Sequence, residues 1–248
     1  PKSMRWGTMS LPFVRPIQWV LALLDGKVIS FEVAGVRSGN TTRGHRFMAP
    51  EIKEVSNVQG YLQKMKKSLV IIDQYEREKV VEKVAKEAAE TAGGIPAQDP
   101  ELVKTVANLV EYPSAICGSF DDVFLNLPDP VLVTAMKEHQ KYFAIYDENS
   151  RLMPNFVAVN NTVAKDESVV RKGHERVLRA RLSDASFFFE ADRKKALEAR
   201  LDDLAGVIYQ ADLGTSYAKV QRFTTLAEYL SVKVLPDKID DVRTTARL

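Results

Sequence analysis

Apolar and polar positions change their rhythm several times along the chain. Between Ile17 and Val36, IQWVLALLDGKVISFEVAGV holds two β-rich runs joined at Asp25-Gly26. That dipeptide favours a two-residue hairpin turn, because both of its positions accept positive φ. The stretch SGNTTRGHRF, Ser38 to Phe47, is then expected to be the loop that leaves the second strand. Spacing next becomes helical: Val58, Leu62, Met65 and Leu69 fall on one face. VIID, Val70 to Asp73, is short and β-branched and predicts a buried strand. QYEREKVVEKVAKEAAE predicts a helix of mixed charge with a narrow apolar side at Val80, Val81 and Val84. TAGGIPAQDP is punctuated by glycine and proline and predicts a loop. LVKTVANLVEYP predicts a helix that stops before Pro113, and SAICGSF a strand. PDPVLVTAMKEHQ opens with prolines suited to a first helical turn. KYFAIYDE and LMPNFVAVNN predict two strands, paired through the turn at NSR.

Beyond Asp166 the strand pattern vanishes. Leu197, Leu201, Leu204 and Ile208 recur at helical intervals, and Gly214 with Thr215 or Ser216 marks the change to a further helix. There Val220, Phe223, Ala227 and Leu230 repeat the spacing. A boundary near residue 164 follows. The predicted architecture is α+β, with a mixed-sheet domain over residues 1–163 and a helical domain over residues 164–248. No internal repeat is present.

Composition narrows the picture. The 248 residues are 45% hydrophobic and 27% charged, the make-up of an ordered chain. A net charge of +2 is too small to announce a nucleic-acid binder, so such a role must rest on a local patch. A single cysteine, Cys117, excludes an internal disulfide and suits a reducing cytosol. No apolar run reaches the roughly 18 residues of a membrane span, and PKSMRWG lacks the apolar core of a signal peptide. A chain that opens on Pro1 and closes on VRTTARL is expected to be a piece of a longer protein.

Few side chains suggest chemistry. His45, His139 and His174 have no Cys, Asp or Glu at the spacing of a zinc site on one element. Cys117 sits in an apolar run, which favours a small core residue over a nucleophile. SGNTTRGHRF lacks the Gly-Lys-Ser/Thr turn of a P-loop. Arg43 and Arg46 could hold an anion there, or merely edge a turn. SVVRKGHERVLRARLSDASFFF says more. On a helix Lys172, Arg176 and Arg179 share a face, with Arg171 and Arg181 beside it and Val170, Val177 and Leu178 turned to the core. Ser168 to Arg181 carries five basic residues and one acid, a local charge of +4. The plainer alternative is a solvated face with Glu175 paired to Arg179 across one turn. Phe187, Phe188 and Phe189 are expected to pack against the α+β domain, with stacked bases as the other reading. In EHQKYF, His139 and Lys141 stand at a helix-to-strand junction, suited to a ligand or to capping.

Six phrases in order carry a family resemblance: PKSMRWG, PFVRPIQWVLALLDG, SGNTTRGHRF, LVEYPSAICGSFDDVFLNLP, MKEHQKYFAIYD and VVRKGHERVLRARLSDASFFFEAD. Together they resemble the β subunit of the bacterial-type glycyl-tRNA synthetase over nearly the whole chain. The resemblance implies an α2β2 ligase that joins glycine to tRNA-Gly with ATP, located in the cytoplasm. ATP and Mg belong to the α subunit, and no cofactor is expected in this piece. The expected partners are tRNA-Gly, the α subunit and the rest of the β subunit, with no membrane. The implied fold is a domain resembling the B3/B4 module of the phenylalanyl enzyme's β chain, followed by an incomplete HD-like helical domain. No catalytic residue is expected here. The RNA-facing candidates are Arg43, His45, Arg46, Lys141, Arg171, Lys172, Arg176 and Arg179. Where the family usually reads KGNERVL, this chain has His174. Two other roles stay open. One is hydrolytic editing of mischarged tRNA, with His45 or His139 as candidates. The other is a scaffold that docks the α subunit or the remaining β domains.

Overall fold

The Asp25-Gly26 turn forms as its residues dictate. In the computed structural model, which describes residues 4–5, 8, 11–13 and 15–247, Leu23–Leu24 pairs antiparallel with Lys27–Val28. Asp25 and Gly26 take φ of 50° and 78°. A second turn of the same kind follows at Ala34-Gly35, with Val33 opposite Val36. Alanine at positive φ is uncommon, which is why the sequence hid this hairpin. The Ser38 hydroxyl straps it, accepting from the Phe31 amide at 2.9 Å and donating to the Ile29 carbonyl at 2.6 Å. Most of the phrase PKSMRWG lies outside the described residues.

SGNTTRGHRF is more ordered than a loop. Its first residues belong to the strand Val36–Gly39, which runs parallel to Val20–Leu21. Thr41–Arg43 then pairs antiparallel with Ile52–Glu54. Helix α1 (Val58–Lys67) begins where Asn57 accepts from the Gly60 amide at 2.7 Å. Of its predicted face Met65 is buried, whereas Val58 and Leu62 are exposed.

VIID is no strand. It is an extended link whose Ile71 amide bonds the Glu111 carbonyl, and whose Asp73 caps helix α2 (Gln74–Glu90). The buried side of α2 is Val81 with Ala85, Ala88 and Ala89, while Val80 and Val84 are only half-buried. Small side chains let the helix lie close to a sheet of four strands: β1 (Ile95–Pro96), β2 (Ser114–Ser119), β3 (Phe143–Tyr146) and β4 (Leu152–Asn160). Their order is β1-β3-β4-β2, antiparallel throughout. β1 falls inside TAGGIPAQDP, expected as a loop; its proline sits on an edge strand, where a missing amide is tolerated. Helix α3 (Pro100–Ala107) ends at Asn108, earlier than Pro113 suggested.

One core joins these elements. Val81 and the alanines of α2 meet Leu102, Val103 and Val106 of α3 and Phe143, Ile145 and Val157 of the sheet. Strand alternation sends Phe156 and Ala158 to the opposite face, where both are wholly buried. Gly118 makes this packing fit: a Cβ there would lie 2.5 Å from the Phe156 ring. Helix α4 (Asp129–Thr134) runs into a wider π-helical turn, Ala135–Gln140, closed by Lys141 at φ 59°. Helix α5 (Glu167–Arg193) then buries Leu178 and Leu182 completely. Each such side chain contributes about 1.5–3 kcal/mol.

The chain divides into two compact units, Pro1–Ser183 and Asp184–Leu248. The second unit holds the end of α5, three short 3-10 turns, a small β ribbon, helix α6 (Ser216–Val234) and helix α7 (Ile239–Arg247). The helix expected through Leu197, Leu201, Leu204 and Ile208 does not form. Glu198–Arg200 and Asp202–Gly206 are 3-10 turns, and Ile208 lies in the ribbon. Gly206 weakens a helix there, and Leu197 and Ile208 remain exposed. Thr215 does cap α6, accepting from the Ala218 amide. Phe223 and Leu230 are exposed, and Thr224 and Ser231 are the fully buried positions of α6. Phe187 and Phe188, expected to pack inward, are exposed and meet edge to face at 5.5 Å. No described helix is long and apolar enough to cross a membrane.

Candidate nucleic-acid interface

His45 was expected to face RNA, but it is fully buried. Its Nδ1 accepts from the amides of Phe47 and Met48 at 3.3 Å each, and its Nε2 lies 2.6 Å from the Asn161 carbonyl. The network requires the tautomer with hydrogen on Nε2. With both nitrogens engaged, the ring has no capacity left for a ligand. Gly44 beside it is equally constrained: a Cβ would come within 2.4 Å of the Ser68 Cβ and 2.6 Å of the Ala49 carbonyl. Arg43 and Arg46 do point outward. Arg43 reaches the Pro50 carbonyl at 3.5 Å, and Arg46 lies over the Phe47 ring at 5.6 Å. The stretch is an anchor with two exposed cations.

The end of β4 gathers what the sequence kept apart. Asn161 receives His45 on its carbonyl, and its side-chain Oδ1 accepts from the amides of Glu111 and Tyr112. Asn160 beside it reaches His174 of α5: Oδ1 lies 2.9 Å from Nε2. The other ring nitrogen of His174 meets the Tyr142 hydroxyl at 2.7 Å. Tyr142 also stacks on Phe156 with centroids 4.8 Å apart. Burial pushes the Tyr142 phenol up to about 12 and holds the His174 imidazole below its usual range. His174 is thus a half-buried hydrogen-bonding position. Lys141 precedes Tyr142; its ammonium is held by Glu138, through the carbonyl at 3.1 Å and the carboxylate at 3.8 Å.

Helix α5 is pinned on one side by His174, Leu178 and Leu182, and by Glu175, whose Oε1 accepts from the Ser119 amide at 3.0 Å. Ser119 lies on the edge strand β2, so Glu175 covers an otherwise open backbone donor. The Glu175–Arg179 pair of the plainer alternative is not made. Val177, expected in the core, is exposed. Lys172 and Arg176 are exposed and have no ion-pair partner among the described residues. Arg171 and Arg181 are exposed as well. Arg179 differs, since its guanidinium meets Asp121 at 3.2 Å in an open surface pair. The basic flank thus keeps two uncommitted cations at its centre and one bound at its edge.

Sequence reasoning missed Tyr142, Asn160, Asn161 and Ser119, which set the position of the candidate residues. The Asn160-Asn161 doublet at a strand end, where side-chain amides commonly bond backbone groups, was the one available signal.

The comparisons with known proteins concern the whole chain. Residues 1–248 match the family model described as glycyl-tRNA synthetase beta subunit. A glycine–tRNA ligase beta subunit of Syntrophus aciditrophicus is 47% identical over 247 residues, covering 100% of this chain and 36% of that protein. The namesake from Geobacter sulfurreducens is 49% identical over 230 residues, 93% of this chain and 34% of its own length. The chain therefore spans about a third of the curated relatives it matches. With the family model matched from end to end and close relatives along its whole length, the chain belongs to the glycyl-tRNA synthetase beta subunit family.

Proposed function

We infer that this chain is a non-catalytic, tRNA-positioning part of a glycine–tRNA ligase β subunit. In this reading it supports attachment of glycine to tRNA-Gly, an ATP-dependent reaction carried out by the α subunit. The α+β unit serves as the counterpart of the phenylalanyl enzyme's B3/B4 module, and the second unit opens an HD-like region. The observation that carries the reading is the pair Lys172 and Arg176, exposed and without an ion-pair partner among the described residues, on a helix fixed from its other side. RNA helices present phosphates and 2′-hydroxyls, so cations on a rigid element are the contacts expected. Arg171 and Arg181 extend the same field. Arg43, Arg46 and Lys141 are secondary contacts; His45 acts only by holding Arg43 and Arg46 in place.

Hydrolytic editing gains nothing from the geometry. His45 has both ring nitrogens committed, and His139 is exposed with no hydrogen-bond partner among the described residues. Neither faces a nucleophile. Docking of another polypeptide does have one feature in its favour, the exposed Trp19, Leu24, Ile29 and Phe31 of the first ribbons. That role coexists with RNA positioning.

Salt dependence of tRNA-Gly binding to the complete ligase tests the main reading. If Lys172 and Arg176 each neutralise one phosphate, replacing both with alanine lowers the log-log salt slope by about 1.4 to 1.8. An unchanged slope removes the flank from the interface.

A further inference from the structure

The helix that offers Lys172 and Arg176 sends Arg171 and Glu175 to a different place. These two form one wall of an open cleft of ≈ 370 Å³. Thr91 at the end of α2, and Cys117, Ser119 and Asn155 on the sheet, are among its other walls. Ser119 and Asn155 face each other in register across β2 and β4.

The wall groups are complementary in charge and only partly satisfied. Glu175 spends Oε1 on the Ser119 amide and hydroxyl, at 3.0 and 3.3 Å. Its Oε2 has no hydrogen-bond partner among the described residues. Arg171 has no ion-pair partner among them either. Burial raises the Cys117 thiol, so at neutral pH it is an uncharged wall, not a nucleophile. The cleft offers a cation and a free carboxylate oxygen to a ligand, and among its described lining residues none is an activated nucleophile.

Size and placement decide which ligand. A guanidinium and a carboxylate one helical turn apart ask for an anion and a hydroxyl donor in the same molecule. The phosphate and ribose of a single nucleotide supply both. The volume stands at the lower end of the roughly 300–1,000 Å³ typical of small-molecule sites, which suits one nucleotide and far exceeds free glycine. Arg171 and Glu175 also adjoin Lys172 and Arg176 in sequence on one rigid helix, so RNA lying along that flank passes the mouth of the cleft. Proteins that read RNA commonly take unstacked single nucleotides into such recesses.

Resting on the tRNA reading above, we propose that the cleft holds one unstacked nucleotide of the bound RNA. Its phosphate lies on Arg171, its ribose hydroxyls on Glu175, and Asn155 reaches its base or sugar edge. The experiment is nucleotide-resolved 2′-hydroxyl acylation of tRNA-Gly bound to the intact ligase. In the wild type, one unpaired nucleotide loses reactivity on binding. Thr91→Trp plugs the cleft from an exposed position, and Asn155→Ala deletes a single amide. Each variant restores that nucleotide's reactivity and weakens binding by about threefold to tenfold, the weight of one or two hydrogen bonds. Asn155→Ala leaves the salt slope at its wild-type value, whereas Thr91→Trp, which lifts the phosphate off Arg171, lowers it by about 0.7 to 0.9. If Thr91→Trp shifts the melting transition, Asn155→Ala decides. An identical acylation pattern in wild type and variants, with a slope that still responds to Lys172→Ala/Arg176→Ala, overturns the cleft proposal alone. A slope indifferent to the double substitution overturns the tRNA reading itself. Protection of Cys117 from N-ethylmaleimide by free glycine, and not by tRNA, also overturns the proposal.

Discussion

Two basic stretches, SGNTTRGHRF and the opening of α5, look alike in sequence: each mixes arginines with one histidine and glycine. In the fold both histidines turn inward, and the two regions differ in what that achieves. His45 uses its whole ring to close a loop on itself and on Asn161. His174 bridges Tyr142 and Asn160 and so clamps a helix whose exposed side is left to its cations. Charge density therefore does not distinguish an anchor from a presenting surface. What distinguishes them is where the uncharged neighbours send their hydrogen bonds.

Substitutions can break that contrast. The largest effect is expected in the loop. Gly44→Ala drives a Cβ into backbone, and His45→Ala orphans two amides and a carbonyl; each costs about 3 kcal/mol. Urea midpoints of the β subunit measure this. Under the same assay Lys172→Ala/Arg176→Ala shifts stability by less than about 0.5 kcal/mol. If the double substitution unfolds the protein instead, those cations are structural and the contrast fails.

The clamp on α5 is expected to be weaker. Tyr142→Phe keeps the stacking on Phe156 but removes the hydroxyl that meets His174, at a cost of about 1 kcal/mol. His174 adds a pH dependence. Its folded pKa lies below the ordinary histidine value, so the unfolded chain binds the proton first as pH falls. The contribution is full above about pH 6.5 and declines as the pH drops toward the lower folded value. Between about pH 7.5 and 5.5 the wild type should lose more stability than His174→Asn, which cannot titrate. Equal losses would place the proton elsewhere. The smallest effect belongs to Arg179→Ala. An open ion pair with Asp121 contributes about 0–1 kcal/mol. On the proposed tRNA reading, loss of that already partnered guanidinium lowers the salt slope of tRNA binding by less than about 0.7.

The sheet and the long helices were legible because their patterns are local. SAICGSF, KYFAIYDE and LMPNFVAVNN are short apolar runs bounded by turn and polar residues, and α2 and α5 repeat as helices. VIID read as a strand because β-branching is a weak signal that tertiary contacts override; its ends are taken by Glu111 and by the cap of α2. The leucines from 197 to 208 read as a helix, but periodicity needs a surface to bury against, and Leu197 and Ile208 stay exposed. In the candidate site, the exposure of Lys172 and Arg176 followed from helical spacing. The inward turn of His45 and the diversion of Glu175 to Ser119 depend on residues 116 and 56 positions away. No window along the chain contains both partners.

That separation of 116 residues between His45 and Asn161 also sets an order of assembly. At the roughly 5–20 residues per second of protein synthesis, the loop emerges about 6–23 s before the carbonyl that fixes it. The first ribbons must therefore stay soluble in an unfinished nascent chain, and they lock only after the last strand of the sheet has formed. Translational pausing before Asn161 would lengthen that wait, so codon choice between His45 and Asn161 bears on the yield of correctly docked N-terminal segments.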